Sequence, residues 1–239
     1  MTTRLAFDLP PALEASEPAE ARGMTRDAVR MMVAHRNTGE LVHSTFSRLP
    51  MFLNAGDLVV INTSGTLAAA VNGVTEHGDR IVVHLSTKVM QDRWVVEFRR
   101  IADRATERWS PDDDLPQRVA LGEGAWLDLI GPYHGSTRLF VVRLTLPQPD
   151  LAWLAANGQP IRYDYVERPW PVSTYQNVYA TEPGSAEMPS AGRAFTPELI
   201  TSLVAKGVGV APIVLHTGVA SLEADETPYP ERVKVSPST

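Results

Sequence analysis

A mixed α and β chain whose middle third is entirely β is what this sequence predicts, and three observations carry the prediction. Between about Leu67 and Leu146 the chain breaks into short β-branched runs separated by Gly- and Asp-rich turns, the pattern of a small antiparallel barrel or sandwich. On either side lie apolar runs without alternation, Leu58-Val59-Val60-Ile61 and Val208 to Leu215, which read as strands of a sheet interior. Finally, Thr196-Pro197-Glu198 has the form of a helix start, and Leu199, Ile200, Leu203 and Val204 follow at amphipathic spacing until Gly207.

Each element follows in order. Residues 5–23, with Pro10, Pro11 and Pro18 among acidic and small residues, suit an extended surface arm. Arg30 to His35 reads as a buried strand, Asn37-Thr38-Gly39-Glu40 as a hairpin turn, and Leu41 to Phe46 as its partner. Ser47 to Leu53 is expected to be a short helix ended by Asn54-Ala55-Gly56-Asp57. The middle third offers strand candidates at Leu67–Asn72, Arg80–Ser86, Trp94–Arg99, Gln117–Leu121, Trp126–Ile130 and Arg138–Leu144. The run Asp112-Asp113-Asp114 is read as a solvated loop, and His84 and His134 as structural, having no second ligand near them in sequence. Pro147-Gln148-Pro149-Asp150 marks a boundary, after which Asp150 caps a helix over Leu151–Asn157 with Gly158 at its C′ position. Gln159 to Ser173 interleaves Tyr163, Tyr165 and Trp170 with Arg162 and Arg168; such a segment either stacks on nucleotides or covers a core edge.

Composition limits the function classes. In 239 residues, 44% hydrophobic and 21% charged, there is no cysteine, so disulfides, thiolate metal sites and a cysteine nucleophile are excluded. Neither a long apolar span nor a leader pattern is visible, and a cytoplasmic location is the expectation. The net charge of −6 argues against a strongly electrostatic nucleic-acid binder. Lysine is confined to Lys88, Lys206 and Lys234, leaving arginine, the better bidentate phosphate partner, to supply any local basic face.

The stretch Tyr179 to Thr196 concentrates the candidate chemistry. Pro183, Gly184, Ser185, Pro189, Ser190, Ala191 and Gly192 lie within it, and small or fixed residues let a backbone approach a ligand and offer its amides to an anion beside a helix start. An ordinary loop-to-helix junction is the simpler alternative. Two polar clusters follow apolar strands, Asn62-Thr63-Ser64-Gly65 and His216-Thr217-Gly218. Strand ends are where open α/β sheets bind ligands, so the two clusters and the loop are expected to meet at one sheet edge.

The order of several segments carries a resemblance. Phe7-Asp8-Leu9-Pro10, Arg30-Met31-Met32-Val33, Gly56-Asp57-Leu58-Val59-Val60-Ile61-Asn62, Tyr175-Gln176-Asn177-Val178-Tyr179-Ala180, Pro183-Gly184-Ser185, Pro189-Ser190-Ala191-Gly192, Phe195-Thr196 and Leu215-His216-Thr217-Gly218 together resemble the S-adenosylmethionine:tRNA ribosyltransferase-isomerases of queuosine biosynthesis. The resemblance implies an α/β body, residues 1–66 plus 147–239, interrupted by an inserted β-barrel over 67–146. It implies transfer and isomerisation of the ribosyl part of S-adenosylmethionine onto 7-aminomethyl-7-deazaguanine in tRNA, with a co-substrate, a tRNA partner, no metal and no membrane. Such chemistry needs a base beside the sulfonium, a proton for departing adenine and an aligned amine. His216 and Glu187 are the candidate proton carriers. Asn62, Gln176, Tyr179, Gly184, Ser185, Ser190, Ala191, Gly192, Thr217 and Gly218 are the candidate binding residues.

Departures from the family pattern also stand in the sequence. Asn62-Thr63-Ser64-Gly65 and Ala68-Ala69-Ala70-Val71 replace the usual Asn-Asp-Thr-Arg and Pro-Ala-Arg-Leu runs, and Ala194 stands where a histidine precedes Phe-Thr. These losses leave room for a small amine or nucleoside as acceptor, or for a binding module without turnover. Family members also continue past the position of Thr239. The strand-like Val233-Lys234-Val235, unpartnered in sequence, therefore reads as the end of a fragment.

Overall fold

The computed structural model describes residues 10, 13, 15–102, 106–109, 114–122, 124–163, 165–219 and 233–235. Six strands of the middle third close on themselves: β5 (Ala70–Thr75), β6 (Arg80–Lys88), β7 (Arg93–Ile101), β9 (Arg118–Gly122), β10 (Ala125–Pro132) and β11 (Leu139–Thr145). The antiparallel ladder runs β5-β6-β7-β11-β10-β9 and returns to β5, so these strands form a barrel and leave no open edge. The alternatives of barrel and sandwich are thereby resolved. An unforeseen short strand, β8 (Thr106–Arg108), pairs with the far end of β7.

Alternation along each strand fills the barrel. Val71, Ile81, Val83, Leu85, Val96, Phe98, Val119 and Leu127 are all buried to 2% exposure or less, and Phe98 stacks on Phe140 at 5.6 Å. The interior has no spare volume at Gly73, where a Cβ would lie 2.5 Å from Val119 Cγ1. β5 starts three residues later than the Leu67 expected from the apolar run. The preceding residues bridge barrel and body instead: the Leu67 amide donates to the Ser185 carbonyl at 2.8 Å, and Ala70 exchanges backbone bonds with Gln159.

Helix α1 (Asp150–Asn157) forms where expected, but its ends differ in detail. Pro149 is the N-cap, while Asp150, in the first turn, accepts the Leu151 amide and pairs with Lys88 at 2.5 Å. Gly158 has an extended conformation with φ −92°, not the left-handed one of a C′ glycine. It is glycine for another reason: a Cβ there would lie 2.0 Å from the Ala68 carbonyl oxygen.

The body consists of small sheets. β1 (Arg30–Ala34) and β2 (Leu41–Thr45) form the expected hairpin. β3 (Leu58–Asn62) pairs in parallel with β13 (Gly209–Leu215), and β4 (Ser64–Thr66) in parallel with β12 (Glu182–Ser185). Helix α2 (Pro197–Ala205) begins with the Thr196 hydroxyl accepting the Leu199 amide at 3.1 Å. It ends before Gly207, which takes φ +86°. Phe195, Leu199, Leu203 and Val208 make a second core with Phe46, Leu49, Leu53 and Val59, where Ser47–Leu53 proves to be a 3-10 helix over Phe46–Phe52 with Pro50 inside.

Two expectations are corrected by these small sheets. β1 and β3 are not interior strands: Met32 in the two-stranded β1–β2 sheet is 59% exposed and Val60 52%, and among the described residues α2 packs on one face of the β3–β13 pair only, through Val59 and Val208. Nor is Val233–Val235 unpartnered, since as β14 it runs antiparallel to Ile213–Leu215 of β13. A tertiary partner distant in sequence supplied what the local sequence lacked. In the acidic run, Asp112 and Asp113 lie outside the described residues, as does the Phe7-Asp8-Leu9 part of the N-terminal segment.

Where the barrel meets the body its outer face carries buried charge. His84 and Glu97 are register partners on neighbouring strands, pointing opposite to the core residues Val83 and Phe98. Arg99 Nη1 lies 3.0 Å and Arg138 Nη1 3.4 Å from Glu97 Oε1, with His84 Nδ1 3.6 Å from Oε2. Burial alone would raise the Glu97 pKa, but His84 and the two guanidiniums more than offset it and hold the carboxyl below its ordinary value of 4.5. A depressed folded-state pKa gives stabilisation that is complete above pH 4.5 and disappears as the pH falls through the folded value. Melting temperatures followed from pH 7 down to acid are expected to fall less steeply for Glu97→Gln than for the parent below about pH 4.5. Parallel slopes would refute this account.

Candidate functional site

Asn62, the last residue of β3, joins the ends of two parallel strands. Its Nδ2 donates to the Leu215 carbonyl at 2.8 Å, and its Oδ1 accepts the Leu215 amide at 2.9 Å and the Ser64 amide at 3.1 Å. The chain on each side is thereby fixed, and the next residues of both strands meet. Ser64 Oγ lies 2.7 Å from His216 Nδ1 and 2.6 Å from Ser185 Oγ, while the Thr217 amide donates to Ser185 Oγ at 3.1 Å. The His216 ring lies directly on Gly184, where a Cβ would come within 2.3 Å of the imidazole. Only glycine permits that approach.

From this row the chain continues into the wall of a cavity of about 1070 Å³. Thr217 is bonded through its carbonyl to the Ala186 amide at 2.8 Å, and its hydroxyl donates to the Glu187 carbonyl at 2.6 Å. One side of the cavity is aromatic, with Tyr163, Tyr165, Trp170, Tyr175, Tyr179 and Phe195 in its lining. Tyr163 and Tyr165 stack with ring planes 3° apart, and Arg168 lies 4.2 Å over Trp170. The Glu187 carboxylate faces Tyr163: partial burial first, and then the negative charge of Glu187, push the Tyr163 phenol up from its ordinary value of 10. A carboxylate among aromatic faces is a surrounding suited to a cation. Among the described residues, no group of three or more His, Asp or Glu side chains is arranged to hold a metal ion.

The sequence candidates divide into two layers. Asn62, Tyr179, Glu187, Ser190, Ala191, Gly192, Thr217 and Gly218 line the cavity. His216, Gly184, Ser185 and Gln176 lie outside that lining. Gln176 instead grips β4, its Nε2 donating to the Thr66 carbonyl at 2.7 Å and its Oε1 accepting the Thr66 amide at 2.9 Å. The backbone cradle expected at Ser190–Gly192 takes another form. These residues make a 3-10 turn in which the Gly192 and Arg193 amides donate to the Pro189 and Ser190 carbonyls, so those donors are consumed within the loop. Gly192 is required by close approach, since a Cβ would lie 2.1 Å from the Tyr179 hydroxyl.

One wall was not legible in the sequence. The 3-10 turns Ala19–Arg22 and Arg26–Ala28 close the cavity from the N-terminal side, where the sequence suggested only a surface arm. Glu20 holds them in place, accepting two bonds from Arg193 Nη2 at 2.9 Å, with Arg26 Nε 3.3 Å away. Partners 173 residues apart leave no local signal.

A methyl group on Gly184 must displace the imidazole. Gly184→Ala is expected to break the Ser64–His216 hydrogen bond and cost about 2–4 kcal/mol, read as a lower midpoint in denaturant titration. An unchanged midpoint and an unchanged histidine NMR signal would show that the ring has room to move.

Comparison with known proteins gives the family. A family model described as queuosine biosynthesis protein matches residues 2–237. A curated relative from Thermotoga maritima, an S-adenosylmethionine:tRNA ribosyltransferase-isomerase, is 33% identical over 231 residues, covering 96% of this chain and 63% of its own length. One of the same description from Geobacter metallireducens is 31% identical over 220 residues, 90% of this chain and 60% of its own. The chain therefore spans less than two thirds of the length of these relatives. A crystal structure of an S-adenosylmethionine tRNA ribosyltransferase from Thermotoga maritima aligns with 25% identity and a TM-score of 0.34, covering 88% of this chain and 57% of that one. With its segment order, its strand-end clusters and a family match over nearly its whole length, the chain belongs to the queuosine biosynthesis protein family.

Proposed function

We propose that this chain carries the S-adenosylmethionine site of an enzyme that transfers the ribosyl group of S-adenosylmethionine to a 7-aminomethyl-7-deazaguanine base of tRNA and isomerises it. The family match over residues 2–237 carries this reading, and the cavity gives it a physical basis. Its volume of about 1070 Å³ is ample for a ligand of the size of S-adenosylmethionine. The reading takes residues 67–146 as an inserted barrel domain in a body formed by 1–66 and 147–239, and a tRNA substrate places the reaction in the cytoplasm.

Roles follow from position. The sulfonium is already a good leaving group, so the protein's tasks are to hold the cation, move a proton and exclude water. Aromatic faces and the Glu187 carboxylate hold positive charge, and Glu187, which lines the cavity, is better placed than His216 to take a proton from carbon next to sulfur. His216, bonded to Ser64 and pressed on Gly184, serves in this reading to fix the wall. Thr217, Gly218, Ser190, Ala191 and Gly192 shape the pocket, and Asn62 anchors it.

A small amine as acceptor is the competing reading, favoured by the net charge of −6 and by Gly65 and Ala70, which stand where the family usually has arginine. A gel shift with tRNA separates the two, because true tRNA binding weakens steeply with salt. In the decisive assay the protein is incubated with S-adenosylmethionine and tRNA bearing the deazaguanine base, and adenine release is measured. Release is expected, and Glu187→Gln is expected to slow it at least 100-fold, at the lower end of general-base effects, and to weaken S-adenosylmethionine binding as well, because the carboxylate that holds the cation is neutralised. A full-rate Glu187→Gln enzyme would remove Glu187 from the proton transfer.

A further inference from the structure

We infer that Arg138, a residue of the barrel, is a positioning residue for the ligand cavity of the body, acting through the Val219 carbonyl on Thr217 and Gly218. Arg138 is 5% exposed and precedes β11. Its Nη1 donates to the Val219 carbonyl at 2.8 Å, and the Val219 amide donates to Ser86 Oγ on β6 at 2.9 Å. Both backbone polar groups of one residue of the body are thus satisfied by barrel side chains. Val219 itself, 3% exposed, is packed into the barrel's core cluster, together with Ala186 from the other side of the site. Two residues before it, Thr217 lines the cavity and holds the Ser185–Glu187 segment through three hydrogen bonds.

A simpler role for Arg138 would be to neutralise Glu97. The distances favour the other assignment. Arg99 already lies 3.0 Å from Glu97 Oε1, closer than the 3.4 Å of Arg138, whereas Arg138 makes a bond of 2.8 Å to the Val219 carbonyl. Burying a guanidinium is costly unless its hydrogen bonds are made, and here one of them is made to the segment that leads from β13 to the cavity. Glu97 orients Arg138, Arg138 fixes Val219, and Val219 fixes Thr217 and Gly218. The barrel thereby forms part of the site's framework although the lining includes none of its residues between Ala70 and Thr145.

This inference rests on the proposal that the cavity binds S-adenosylmethionine, and the test keeps the two apart. Arg138→Met and Ser86→Ala are compared with Val83→Ala, which thins the barrel interior away from the body and serves as the control for lost stability. Calorimetric titration with S-adenosylmethionine is expected to show affinity reduced about tenfold or more in Arg138→Met, less in Ser86→Ala, and unchanged in Val83→Ala. Amide exchange of Thr217 and Val219, measured without ligand, is expected to accelerate at least tenfold in Arg138→Met relative to Val83→Ala. If Arg138→Met loses no more affinity and exchanges no faster than Val83→Ala, the positioning role is wrong. Should the parent protein fail to bind S-adenosylmethionine, the proposed ligand is wrong, and exchange at Thr217 and Val219 alone decides the role of Arg138. Were Arg138→Met not to fold, Arg138→Lys, which keeps the charge beside Glu97 but loses the guanidinium, is compared with Val83→Ala in the same way, with a smaller expected difference.

Discussion

The Asn62 carboxamide is the contact on which the site depends. One planar group satisfies the carbonyl and the amide of Leu215 and the amide of Ser64 at once, using donor and acceptor together in a geometry that aspartate, without an N–H, cannot match. Parallel strands have no hairpin to fix their relative ends, so β3 and β13 need a device of this kind where they stop pairing. Because both strands are held at that level, the residues that follow, Ser64 on one and His216 on the other, reach hydrogen-bond distance. The cavity wall at Thr217 and Gly218 then inherits its position from the strands rather than from the loop itself.

The closed barrel contributes in a different currency. Its interior is apolar and full, so it tolerates little change of volume, while its outer face toward the body carries Glu97, Arg99 and Arg138 with His84 beside them. Buried pairs such as Glu97 and Arg138 add little net stability, since desolvation cancels much of their attraction. Their value lies in direction: each hydrogen bond has one favourable geometry, and together they fix how the Val219 segment meets the barrel. Apolar packing alone at this junction would leave that segment free to slide.

Three glycines of the body mark close approach and not a left-handed turn. Gly184 admits an imidazole, Gly192 admits a phenol, and Gly158 admits a carbonyl oxygen. None of these three needs a positive φ. Reading a glycine after a helix as a cap therefore misassigned Gly158, whose requirement came from Ala68, 90 residues away and brought beside it by the pairing of Ala70 with Gln159.

The Pro-Gly-Ser segment, read as loop, is strand β12 because β4 lies beside it. The sequence by itself determined the barrel strands, the hairpin, the Thr196 cap and the Pro-Ser-Ala-Gly turn. Each of these rests on periodicity or turn chemistry confined to a few neighbouring residues. It also identified the two polar strand ends, since an apolar run stopping at Asn62 or His216 is visible locally. Tertiary structure alone decided which candidates face the cavity and which stand behind it, that Glu187 is inside and His216 beneath, and that the N-terminal turns form a wall through Glu20 and Arg193. It also decided that β3 is half-exposed and that Val233–Val235 has a partner. Those outcomes depend on contacts between residues distant in the chain, and a side chain's local pattern is the same whether it turns toward a ligand or toward its own scaffold.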